Sequence, residues 1–76
     1  MNTGAFLWNL IERSGCDAVS IRAVKGQATS EISMFEGNDV HVVTVEDEEW
    51  DNFDGLLAGV LVCLEEMRAF WRRGAK

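Results

Sequence analysis

Apolar residues recur along this chain with two different periods. From Thr3 to Ser14 they fall three or four apart, so that Phe6, Leu7, Leu10 and Ile11 share one face of a predicted helix that Thr3 is placed to cap. Gly15 follows where a left-handed residue would close it, and Trp8 lies off the stripe. From Ala18 to Glu46 the period drops to two. Val19, Ile21 and Ala23 alternate with Ser20, Arg22 and Val24, and two turn signals, Lys25-Gly26-Gln27-Ala28 and Glu36-Gly37-Asn38-Asp39, divide the stretch into three strands. With Gly26 first in a type II′ turn, Val19 faces Met34, Ile21 faces Ile32 and Arg22 faces Glu31: apolar meets apolar, and opposite charges pair. With Gly37-Asn38 as a tight loop, Met34 faces His41 and Ile32 faces Val43. That register also sets Glu36 against Asp39, a like-charge pair that a longer, bulged loop would relieve.

From Asp47 to Arg72 the helical period returns. Trp50, Phe53, Leu57, Val60, Leu61, Leu64, Met67 and Trp71 form the stripe, with acids in the first turns and bases in the last, the polarity the helix dipole favours. The expected fold is therefore α+β: one domain over 1–76, in the order α-β-β-β-α, with a three-stranded antiparallel meander packed on one face by a short N-terminal and a longer C-terminal helix. Two surfaces are left over. The outer sheet face carries Val24, Phe35, Val40 and Val42, a surface on which a second copy would close. Leu56, Val62 and Cys63 make the last helix apolar nearly all round between Leu56 and Leu64, and Gly55 and Gly59 admit a close neighbour there, first the rest of this chain and second a dimer partner.

Charge changes the picture. Six of the nine residues from Glu46 to Asp54 are acidic (Glu46, Asp47, Glu48, Glu49, Asp51 and Asp54), with Trp50 and Phe53 among them. The chain has 13 acids, seven bases and a net charge of −6, so the other seven acids and seven bases cancel and this run equals the whole excess. Such a patch repels nucleic acid and attracts basic protein surfaces. Two interpretations compete. Either Asp47 or Asp51 caps the helix and the remaining acids settle on its positive end, or the run is a binding surface with Trp50 and Phe53 as apolar anchors. A calcium loop does not fit: counted from Asp51, the third ligand position is Phe53.

Other chemistry finds little support. The sequence has no Gly-rich phosphate loop, no His-x-x-x-His pair and no nucleophile elbow, and it reads as a non-enzyme with no cofactor and no metal. His41, the one histidine, falls among valines on the inner sheet face, the setting of a hydrogen-bonded edge residue. Cys63 sits mid-helix among apolar residues, where a thiol is expected buried and inert. Arg68, Arg72, Arg73 and Lys76 read as a solvated helix end. The longest apolar stretch, Leu56–Leu64, is nine residues against the roughly 20 of a membrane span. With no signal-type segment before the first apolar run, a reducing cytoplasm is the expected setting, with Cys16 and Cys63 as free thiols and no membrane contact.

The single short domain, the α-β-β-β-α order and the run Glu46-Asp47-Glu48-Glu49-Trp50-Asp51-Asn52-Phe53-Asp54 together resemble the small acidic inhibitors encoded by phages and mobile elements, notably anti-CRISPR proteins. The resemblance covers the chain in outline and involves no shared motif. It implies action in the cytoplasm of a bacterial host, as a nucleic-acid mimic whose six carboxylates occupy a basic channel of a CRISPR effector complex. The balanced charge elsewhere departs from mimics that spread acid over a whole face. The rival expectation is a self-assembling structural or adaptor subunit acting through its apolar sheet and helix surfaces.

Overall fold

The computed structural model describes residues 2–74; Lys76 lies outside the described residues, as do the side chains of Arg72 and Arg73. Helix α1 spans Thr3–Ser14 and is capped by Asn2 rather than Thr3: the Asn2 Oδ1 accepts the Ala5 N–H at 3.1 Å. Gly15 ends it at φ 74°, its N–H donating to the Ile11 carbonyl. Strands β1 (Ala18–Ala23), β2 (Thr29–Glu36) and β3 (Asp39–Glu46) follow in an antiparallel meander of order β1-β2-β3. Val19 faces Met34, Ile21 faces Ile32, Arg22 faces Glu31 and Met34 faces His41, the register expected from hydrophobic and charge matching.

The turns refine this. Between β1 and β2 the hydrogen bond closes Val24 to Gln27, which puts Gly26 (φ 86°) third in the turn. A left-handed residue in that place belongs to a type II turn, not to the type II′ turn expected with Gly26 first. Between β2 and β3, Gly37 at φ 60° opens a two-residue loop and Glu36 does face Asp39, with no bulge.

The last segment is two elements rather than one helix. A 3-10 helix, η1, runs Asp47–Asp51, and α2 runs Phe53–Gly74. Asn52 breaks the chain between them with non-helical backbone (φ −119°, ψ 88°) and caps α2, its Oδ1 accepting the Gly55 N–H at 3.0 Å. A Cβ on Gly55 would meet that amide group at 2.5 Å, so the cap and the glycine belong together.

Both helices cover the same sheet face. Phe6 and Leu10 of α1, Ile32, Met34 and Val45 of the sheet, and Leu56, Leu57, Val60 and Leu64 of α2 form the core, with Cys16 at its margin. The opposite face carries Val40 and Val42, about half exposed, with Phe35 and Val24 somewhat less so. α2 outruns the sheet: Trp71, expected on the buried stripe, is 61% exposed, and Phe70 is 70% exposed. Among the described residues, no helix is long and apolar enough to cross a membrane.

Replacing Asn52 by Ala should lower stability by about 1 kcal/mol through loss of the cap, or roughly 4–8 °C in Tm for a domain of this size. Asp51→Asn should leave the melting curve in place. Thermal melts of the two variants decide whether α2 is capped by Asn52 or by an acid of the run.

Candidate functional site

The acidic run is built outward from the core. β3 ends at Glu46, and the Asp47 N–H donates to the Ala28 carbonyl at 2.9 Å, holding the start of η1 against the sheet. Glu49 turns back and accepts the Glu46 N–H at 2.8 Å. Trp50 and Phe53 point inward and are half-buried, packing edge-on against Phe6 with ring centroids at 5.0 and 5.6 Å and interplanar angles of 63° and 87°. Such pairs contribute about 0.5–1.5 kcal/mol each beyond the area they bury. With the aromatics turned in, the carboxylate-bearing residues Glu46, Asp47, Glu48, Glu49, Asp51 and Asp54 are all exposed. Among the described residues none of the six enters an ion pair. The result is a negative ridge on an aromatic pedestal.

Capping explains part of this ridge: Glu46 and Glu49 form the capping box that opens η1. Asn52, not Asp47 or Asp51, caps α2, and Asp54 alone stands in the first turn of that helix. Asp47, Glu48 and Glu49 sit at the start of η1, which is too short to build up a substantial dipole. Like charges so close repel one another, a cost the fold carries at this ridge.

A second polar constellation lies at the far end of the sheet. Arg68, expected in a solvated basic tail, is instead largely covered and makes a fork on Glu36: Nε donates to Oε1 at 3.1 Å and Nη2 to Oε2 at 2.8 Å. Its Nη1 donates to Glu65 at 2.7 Å, and Nη2 also reaches the Ser14 carbonyl at 2.7 Å, in the last turn of α1 where the helix dipole welcomes a cation. This clasp is why Glu36 tolerates Asp39 across the turn without a bulge. Asp17 helps by accepting the Gly37 N–H at 2.8 Å. The Arg68 guanidinium holds the Glu36 carboxyl below the usual carboxylate range, with a smaller contribution from His41; the same bond raises Arg68 further. His41 is buried, with Nε2 3.4 Å from Glu36 and Nδ1 unpartnered among the described residues. Glu36, Asp39, His41, Glu65 and Arg68 line a cleft of about 470 Å³ with Gly15 and Trp71. The Glu36–Asp39 conflict was the one sequence signal that a cation had to arrive from elsewhere.

Elsewhere the placements are mixed. Val24, Phe35, Val40 and Val42 lie on the uncovered sheet face, and the two thiols are free, but Cys63 is exposed rather than buried. Among the described residues Gly59 admits no close neighbour: a Cβ there would meet nothing within 4 Å. The chain matches no protein-family model, no curated protein and no solved structure.

Because folding favours the ionised form of Glu36, the clasp contributes fully above the ordinary carboxyl value of 4.5 and is lost as pH falls through the lowered folded-state value. Glu36→Gln should therefore be less stable than the parent near neutral pH, and the two should converge at acid pH. Thermal melts from pH 3 to 7 read this directly. A gap that stays constant with pH would mean the ion pair contributes nothing that titrates.

Proposed function

We propose that this protein is a non-enzymatic inhibitor that binds a basic, nucleic-acid-handling surface of another protein through the ridge Glu46–Asp54. One observation carries the proposal: six exposed carboxylates, without internal ion pairs among the described residues, are mounted on Trp50 and Phe53 so that their positions are set before any partner arrives. Preorganised charge of one sign speeds association with a basic groove and selects against acidic partners. Trp50 and Phe53 act here as supports for the ridge rather than as free anchors. The outline shared with anti-CRISPR proteins makes a CRISPR effector complex in a bacterial host the partner to test first.

A second arrangement has its own observation, the uncovered sheet face. Phe35 and Val40 pair directly across β2 and β3, with Val42 beside them, which favours self-association through that face.

A pull-down of the tagged protein from bacterial lysate at low and high salt, beside a variant with the six acids replaced by Asn or Gln, tests both. Capture of a basic nucleic-acid-handling complex by the parent alone, weakening as salt rises, is the expected outcome, because exposed charges are screened over about 8 Å at 0.15 M. Equal capture by both versions would sink the acidic-ridge proposal. Recovery of only the protein itself, at both salts and lost with Val42→Glu, would favour the self-assembling subunit.

A further inference from the structure

β3 is the last strand of the sheet, and its outer edge is unpaired among the described residues. The two-residue loop makes Glu36 and Asp39 a hydrogen-bonded pair, and Asp47 N–H bonds back to Ala28. In an antiparallel ladder such pairs alternate, so residues 39, 41, 43, 45 and 47 direct their backbone groups at β2. Val40, Val42 and Thr44 therefore direct their N–H and C=O groups outward, along the free edge. β3 has no proline, no lysine and no bulge to blunt this edge, and its acids, Asp39 and Glu46, stand only at its ends.

A groove runs beside this edge. One half, about 150 Å³, lies between Val43, Thr44 and Val45 and the small-residue side of α2 at Gly55, Gly59 and Cys63. The other half, about 390 Å³, continues between Val42 and Val43 and Cys63, Met67 and Phe70. The two halves meet at Val43 and Cys63. From Gly55 to Phe70 the helix is about 22 Å long at ~1.5 Å per residue, close to the roughly 26 Å of an eight-residue strand. Gly59, which helix formation disfavours and which this chain does not need for packing, becomes intelligible as the floor of that groove.

Charge along the groove selects the occupant. Glu49, with the ridge beside it, lines one half of the groove, and Glu66 lines the other. A second copy pairing β3 on β3 in antiparallel fashion would bring Asp39 against the Glu46 end of its partner twice over, like against like. We propose that the β3 edge is a strand-addition site for an extended segment of the partner protein, with alternate apolar side chains lying over Gly55, Gly59 and Cys63 and basic residues placed to meet Glu49 and Glu66. This rests on the acidic-ridge function and gives that ridge a second purpose, holding the flank of the docked strand.

The test is selection from a display library of random twelve-residue peptides against the parent chain, followed by amide hydrogen exchange on the complex. Enriched peptides should alternate apolar residues and carry Lys or Arg, and exchange at Val40, Val42 and Thr44 should slow by about tenfold or more on binding. Gly59→Leu, whose side chain enters open space, should melt no lower than the parent yet bind at least about tenfold more weakly. Peptides that bind in a salt-sensitive way, need the six acids, ignore Gly59→Leu and leave the three amides unprotected would overturn strand addition while leaving the ridge function standing. Peptides that protect those amides equally well with the ridge neutralised would sustain the docking edge and overturn the ridge's second purpose of holding its flank. Recovery of no peptide, or protection of the three amides in the free protein that grows with its concentration, would overturn the proposal.

Discussion

Phe6 is the point on which three segments close. Its ring, fully buried, takes the edges of Trp50 and Phe53 and so joins α1 to η1 and to the first turn of α2. A domain of 76 residues has little core to spare, and this cluster does two things at once. It completes the hydrophobic layer under the sheet, and it turns the aromatic side chains of the acidic run inward, which leaves the acids nowhere to go but outward. At the other end of the sheet Arg68 performs the matching closure with polar groups, tying the last turn of α1 to the end of β2. The fold is thus pinned at two corners by different physics, dispersion and desolvation at one and a charge-assisted fork at the other.

The elements that were legible in the sequence are those governed by local periodicity. α1 and its glycine stop follow from a four-residue apolar stripe and one left-handed position. The register of all three strands follows from matching Ile32 with Ile21 and Val43, because a slip of one residue would turn every inner side chain outward. What escaped was set by partners distant in the chain. Arg68 is 32 residues from Glu36, and nothing in the helical pattern distinguishes it from a solvated basic residue. Trp71 fits the buried stripe by spacing, but α2 has by then run past the sheet, so the stripe continues where there is nothing to cover it. The break at Asn52 was hidden because acids and amides serve equally well as caps on paper; only the position of Trp50 against Phe6 decides which residue takes that place.

The candidate site divides in the same way. Its composition was evident as a run of charge, and its presentation was not. Trp50 and Phe53 fit the description of binding anchors as well as that of core residues, and their spacing in a helix would have served either. Their contacts with Phe6 place the apolar and acidic parts of the run on opposite sides of the chain. The uncovered sheet face and the free edge of β3 adjoin at Val40, Val42 and Thr44, so one strand offers both an apolar surface and a row of backbone groups within a short distance of the ridge.

The separation between pedestal and ridge has an evolutionary consequence. None of the ridge carboxylates lies in the core, and apart from Glu46 and Glu49, which cap η1, they can be exchanged with small effect on folding, while Phe6, Trp50 and Phe53 are held by packing. A chain built this way can change its surface charge one position at a time while its architecture stays constant.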